Sequence, residues 1–103
     1  MQHLYKERMD EMTNNFLYEQ NRIYMEDENH KLLAEVTFPS IDNQTVAINH
    51  TFVDHSLRGQ GIAGDLLEAT VGYLAEHNLK AIPTCSYALS WFDKHDEYHN
   101  ILD

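Results

Sequence analysis

The chain has 103 residues, 17 of them acidic and 7 Lys or Arg, for a formal net charge of −10. That balance argues against nucleic acid as a partner, because phosphate backbones are held by stripes of lysine and arginine, and it suits solubility or a cationic partner. The length fits one core, with roughly 60–65% of the unfolded surface buried, and a lone cysteine rules out an internal disulfide and points to a reducing cytoplasm.

In chain order, residues 1–15 are polar and methionine-rich, with Leu4, Tyr5, Arg8, Met9 and Met12 able to form one helical face. They are expected to be a peripheral segment before a single domain over 16–103. No apolar run reaches the ~20 residues of a membrane span, and no basic-then-apolar leader is present. Residues 16–18 and 22–25 read as short strands. Asp27, Glu28, Asn29 and His30 make a turn, and residues 31–38 form a strand with Leu33 and Glu35 opposing Ala34 and Val36. After a second turn at 39–44, residues 45–53 are predicted to be one long strand rich in β-branched side chains. Three antiparallel strands joined by tight turns make a meander.

The next element is the clearest. Ala63, Leu66, Leu67, Thr70, Val71 and Leu74 form a continuous helical stripe, Glu68, Glu76 and His77 face water, and Asn78 is a left-handed stop. Residues 80–85 then form a strand, so 45–85 is a β-α-β unit with a right-handed crossover. Pro83 has no N–H for a ladder and requires an unpaired side there. Ser86 is expected to cap a final helix over 86–98, with Leu89, Trp91 and Phe92 as its apolar surface. Trp91 reads as core.

The chemistry gathers before the clear helix. Arg58, Gly59, Gln60, Gly61, Ile62, Ala63 and Gly64 place glycines where the first N–H groups of a helix lack partners and carry partial positive charge. Without bulky side chains, an anion reaches those N–H groups, and residues 58–64 are a candidate phosphate cradle. Residues 59–64 also satisfy G-x-G-x-x-G, the dinucleotide fingerprint. That reading fails because residues 54–58 intervene after the strand and no acid closes the next strand. A P-loop fails for want of a Lys-Ser/Thr pair. Gly64 inside a helix, at ~1 kcal/mol against alanine, implies close packing or close ligand approach. Asp65 opposes an anion unless its side chain points outward.

Arg58 to Ala63, read as R-x-x-G-x-A after a strand ending at Val53, resembles the pyrophosphate loop of the GNAT superfamily of N-acetyltransferases. The resemblance extends to its short single-domain, YjdJ-type branch, through His50-Thr51-Phe52-Val53, Cys85-Ser86-Tyr87-Ala88 and Lys94-His95-Asp96-Glu97-Tyr98. It implies an α+β GNAT-like fold, a twisted mixed sheet with an antiparallel meander, then a β-α-β unit and a C-terminal helix. It also implies acetyl-CoA as co-substrate, an amine of a small molecule or peptide as acceptor, and two parallel strands that splay near Pro83. Phe52, Val53, residues 58–64, Ser86, Tyr87 and Trp91 would contact the coenzyme. Asp96 and Ser86 each stand where that branch often has proline.

Cys85 ends its strand where open sheets gather ligands. His50 is expected at the neighbouring strand end, on the face of Val46, Ile48 and Phe52. A thiol beside an imidazole is a competent acyl acceptor, while a buried cysteine and a hydrogen-bonded structural histidine are the plainer readings. One route has an amine attack the thioester directly, with an N–H near Phe52 and Val53 polarising the carbonyl and His50 or a water taking the proton. The other acetylates Cys85 first. His95 and His99, four apart, have zinc-ligand spacing but no third ligand, so a solvated face and no metal are expected. The alternatives to an acetyltransferase are a non-catalytic coenzyme A-binding or sensing module and a structural interaction protein. A monomer or weak homodimer is expected.

Overall fold

The alternation of the N-terminal half resolves into three antiparallel strands, β1 (Leu17–Glu19), β2 (Arg22–Glu26) and β3 (Leu32–Thr37). The structure, a computed structural model, describes residues 16–103, and the expectation for residues 1–15 lies outside them. Asn21 and His30 turn the chain with positive φ, and Asp27 closes the second turn by accepting from the N–H groups of Asn29 and Lys31. Ala34 and Val36 are buried, and Glu35 points to the opposite face, as the alternation requires.

The strand predicted over residues 45–53 is two strands, β4 (Thr45–Ile48) and β5 (His50–Val53), interrupted at Asn49. They pair in different sheets. β5 continues the meander in the order β1-β2-β3-β5, whereas β4 pairs in parallel with β6 (Lys80–Pro83). The break therefore splits the expected mixed sheet into an antiparallel and a parallel block. It also shifts the alternation, so Val46 and Ile48 are buried while His50 is exposed.

Helix α1 (Ile62–Glu76) crosses between β5 and β6 and buries Leu66, Leu67, Thr70, Val71 and Leu74. These pack with Ile23, Ala34, Val36, Phe38, Val46 and Ile48 in one core. Thr70 satisfies its buried hydroxyl by donating to the Leu66 carbonyl at 2.8 Å. Asn78 stops the helix at φ 58°. At Gly72 an added Cβ would meet nothing within 4 Å. Gly72→Ala will therefore stabilise the fold by about 1 kcal/mol through helix propensity, raising Tm by roughly 4–8 °C in a melt followed by circular dichroism.

The last helix is shorter than predicted. Helix α2 (Ser86–Asp93) gives way at His95 to a 3₁₀ segment (Asp96–Ile101). Its N-cap is Cys85, not Ser86, and no side chain caps it. Trp91 and Tyr98 stack with centroids 5.4 Å apart and planes within 6°. Seven residues of continuous helix would separate them by about 10.5 Å along the axis, so the chain must fold back. The Trp91 and Phe92 carbonyls at the helix end accept the N–H groups of Lys94 and His95 at 3.1 and 3.2 Å, and each takes a second bond from a histidine ring, His95 Nδ1 to Trp91 and His99 Nε2 to Phe92, both at 2.7 Å. These two rings cap a helix end, which is what their spacing serves here. Among the described residues, no helix is long and apolar enough to cross a membrane.

Candidate functional site

The site begins where the parallel strands part. The β4–β6 ladder ends at Ile48 opposite Pro83, and the N–H groups of Thr84 and Cys85 both donate to the Ile48 carbonyl, at 2.9 and 3.2 Å. Beyond that rung, β5 pairs only with β3. In an antiparallel pair, alternate residues turn their main-chain groups toward the partner. Asp54 N–H donates to the Leu33 carbonyl at 2.7 Å, which sets the phase. Residues 50, 52 and 54 thus face β3, and the N–H and C=O groups of Thr51 and Val53 face the gap left by β6.

One side of this gap is closed by the start of α1. Gly61 is its N-cap, at φ 80°, and provides no side-chain bond to the helix. Gly59 also has a positive φ, 85°, and a Cβ built on either glycine would lie in open space. The first intrahelical bond runs from Asp65 N–H to the Gly61 carbonyl at 3.1 Å. The N–H groups of Ile62, Ala63 and Gly64 therefore have no partner within the helix and point outward at its positive end. A bulky residue at 61 would need a strained backbone and would cover those donors.

The turn leading into α1 is fixed by Asp54. Its carboxylate accepts from the Ser56 hydroxyl at 2.6 Å and from the Ser56 N–H at 3.0 Å, capping the 3₁₀ turn His55–Leu57. Lys31 Nζ lies 3.7 Å away. Arg58 follows, with Nε donating to the Val53 carbonyl at 3.3 Å. The Ser56 hydrogen bonds hold the Asp54 carboxyl below the ordinary 3.8. A depressed acid contributes stability above its unfolded pKa and loses it as pH falls through the folded one. The Ser56 amide resonance will accordingly titrate with a midpoint below 3.8, and Asp54→Ala will abolish that titration.

Thr51, Phe52, Val53, Leu57, Arg58, Gly59, Gly61, Ile62, Ala63, Gly64 and Tyr87 line a cavity of about 480 Å³, a size suited to a cofactor arm. Of the residues predicted to bind the coenzyme, Gln60, Ser86 and Trp91 are outside this lining. Trp91 is 5% exposed and lies under Gly64, its Nε1 3.5 Å from where a Cβ would stand, so Gly64 serves close packing. Tyr87 rises beside it from the first turn of α2. Burial, and then the Asp65 carboxylate, push its hydroxyl above 10.0. Burial likewise raises the Asp65 carboxyl.

Cys85 lies at the N-cap of α2, partly exposed and packed against the core. His50 does not face it through an apolar row. Its Nε2 lies 3.3 Å from Glu35 Oε1, on the sheet face opposite Ala34 and Val36. The interruption at Asn49 is the reason. The sequence reading also missed Thr51, Leu57 and Glu35. Alternation along residues 50–53 carries the signal for Thr51, whereas Glu35 becomes visible only from the strand register.

A family model described as GCN5-related N-acetyl-transferase matches residues 22–101. A GCN5-like protein from Staphylococcus aureus, solved by NMR, is 36% identical with a TM-score of 0.73, over 86% of this chain and 87% of that one. Protein NATD1 of Xenopus tropicalis is 37% identical over 54 residues, 52% of this chain and 50% of the frog protein, so the match spans half the length of that relative. GCN5 of Tetrahymena, 12% identical over 71% of this chain and 48% of that one, shares the fold with a TM-score of 0.59. Matched across most of its length in both sequence and fold, the chain belongs to the GCN5-related N-acetyltransferase family.

Proposed function

We propose that the protein is an acetyltransferase that binds acetyl-CoA in this cleft and passes the acetyl group to an amine. The observation that carries the reading is the bare start of α1, with unpartnered N–H groups behind Gly61 and a cavity leading from it to the parted strands. Bound there, acetyl-CoA supplies an activated acetyl thioester. Ile62, Ala63 and Gly64 hold its diphosphate through their N–H groups, and Arg58 adds a positive charge. The gap-facing N–H and C=O of Thr51 and the N–H of Val53, whose carbonyl accepts from Arg58 Nε, are the edge on which an amide-bearing arm pairs, as an added strand would.

The side chains then manage protons. As the amine forms its N–C bond and the C–S bond breaks, His50 or a water takes the proton from nitrogen. Tyr87, whose raised hydroxyl is protonated at neutral pH, donates to sulfur and is reprotonated from solvent. Cys85 offers a covalent route: its thiol gives its proton to water and attacks the acetyl carbon, and the coenzyme sulfur leaves with a proton from Tyr87. The amine then takes the acetyl group from Cys85, loses its proton to water, and the cysteine sulfur is reprotonated from solvent. The location of Cys85 beside the last rung of the parted strands favours that route. A reducing cytoplasm suits its free thiol.

Release of coenzyme A thiol from acetyl-CoA will be followed with spermidine, ethylamine and a lysine peptide. Turnover with one of these is expected, whereas saturable binding without thiol release assigns the cleft to a sensing module. On the covalent route, Cys85→Ala loses turnover by about a hundredfold, within the range nucleophilic and acid–base groups supply. Full turnover by Cys85→Ala, with no acetyl mass on the wild-type protein, returns the chemistry to direct attack.

A further inference from the structure

We propose that Glu35 is a positioning residue, holding His50 at the acceptor side of the parted strands so that its Nδ1 receives the acceptor's proton. The inference rests on the acetyl-transfer reading above. Three features of the outer sheet face lead to it. First, Glu35 is the polar member of a row whose neighbours Ala34 and Val36 are fully buried, and its side chain is only 16% exposed. Second, its two oxygens are divided between two partners. Oε2 accepts from Arg22 Nε at 2.6 Å, and Oε1 lies 3.3 Å from His50 Nε2. Third, Arg22 is itself clamped, with its guanidinium 3.7 Å from the centre of the Tyr24 ring and Nη1 3.3 Å from Glu19 Oε1. A chain of fixed groups thus runs from β1 through β2 and β3 to the first residue of β5.

That residue stands where the chemistry needs a base. Helix α1 packs on the face of the sheet that carries Ala34 and Val36, against β2, β3 and β5, so a ligand in the cradle approaches from the helix side. His50 begins β5 one residue, Asn49, beyond the rung at which β4 and β6 part. An acceptor reaching the gap from the opposite face, the one Glu35 shares with the exposed His50 ring, meets that ring. With Nε2 turned to the carboxylate, Nδ1 is the ring atom left to accept a proton. The imidazolium so formed lies beside the Glu35 charge, which offsets it. His50 is 51% exposed and returns the proton to water.

The experiment compares wild type with Glu35→Gln, Glu35→Asp, His50→Gln and the Glu35→Gln/His50→Gln double variant. Ring ¹⁵N and ¹³C shifts of His50 are read by NMR, acetyl-CoA affinity by calorimetry, and thiol release with spermidine, with water as the background acceptor. Glu35→Gln should move the His50 ring signals and lower kcat by about tenfold to a hundredfold, inside the ~10²–10⁴ that a general base supplies. KM for acetyl-CoA should stay within about twofold, since the coenzyme cradle is untouched. Glu35→Asp should restore part of kcat. In the His50→Gln background the Glu35→Gln change should cost nothing further, the signature of one residue acting through the other.

Unmoved His50 ring signals in Glu35→Gln overturn the proposal, as does an additive double variant. Acetyl-CoA binding by a wild type that releases no thiol to spermidine or water also overturns it, while leaving the cofactor reading of the cleft intact. Loss of acetyl-CoA binding in the wild type is the distinct failure of that reading.

Discussion

Gly61→Val will weaken acetyl-CoA binding by about a hundredfold while leaving a folded protein. Gly61 holds φ 80° at the N-cap of α1, with open space where a Cβ would stand. A β-branched residue there meets backbone strain of about 1–2 kcal/mol, not a clash. The larger effect falls on the ligand, because the new side chain occupies the space through which a diphosphate reaches the N–H groups of Ile62, Ala63 and Gly64. Hydrogen bonds to a charged group are worth about 1.5–3 kcal/mol each. Losing one or two of them is roughly 3 kcal/mol, or about two powers of ten in Kd. Calorimetric titration of the variant checks the affinity and a thermal melt checks the strain.

Trp91→Ala carries the largest expected effect on stability, a loss of about 3–5 kcal/mol. Trp91 is 5% exposed, meets Phe92 edge-on at 5.0 Å, and stacks on His95 and Tyr98 at 4.3 and 5.4 Å. It also supports Gly64 from below. Its removal leaves a cavity under the start of α1 and frees the 3₁₀ segment. A Tm lower by on the order of 15 °C or more is expected. Trp91→Phe should retain much of the stability and, because Trp91 lies outside the cavity lining, bind acetyl-CoA within about threefold of wild type, a difference under 1 kcal/mol. A large affinity loss in a fully stable Trp91→Phe protein would move the indole into the coenzyme's wall.

The elements with strong local periodicity were legible from sequence. The buried stripe of α1 is the predicted one from Leu66 to Leu74, and Asn78 ends the helix in the left-handed region, as its side chain permits. The glycine turn was legible because a positive φ and an uncapped helix start are local properties of residues 59–64. The interruption at Asn49 was not. Nothing in a β-branched run marks where one strand changes partners, and that change is decided by where β6 leaves the sheet. One displaced residue then moves His50 to the outer face, beside a carboxylate 15 positions earlier in the chain.

The end of α2 was hidden for a similar reason. Residues 86–98 contain neither proline nor glycine, and the fold-back is set by the stacking of Trp91 with Tyr98 and by histidines serving as caps. Charge gave the opposite kind of lesson. A net charge of −10 is an objection to an anionic ligand, yet the proposed cradle consists of main-chain N–H groups, not side chains. The global count says little about a site built from backbone.

The central claim is that the start of α1 grips the diphosphate of acetyl-CoA. It is tested most directly by following the backbone amide resonances of residues 59–64 in ¹H–¹⁵N spectra while acetyl-CoA is added to saturation. Large, saturable shifts centred on Gly61 to Gly64, with smaller ones at Thr51 and Val53, are the result expected. Amides there that hold their positions at saturating coenzyme, or shifts confined to the far end of α1, would contradict the account.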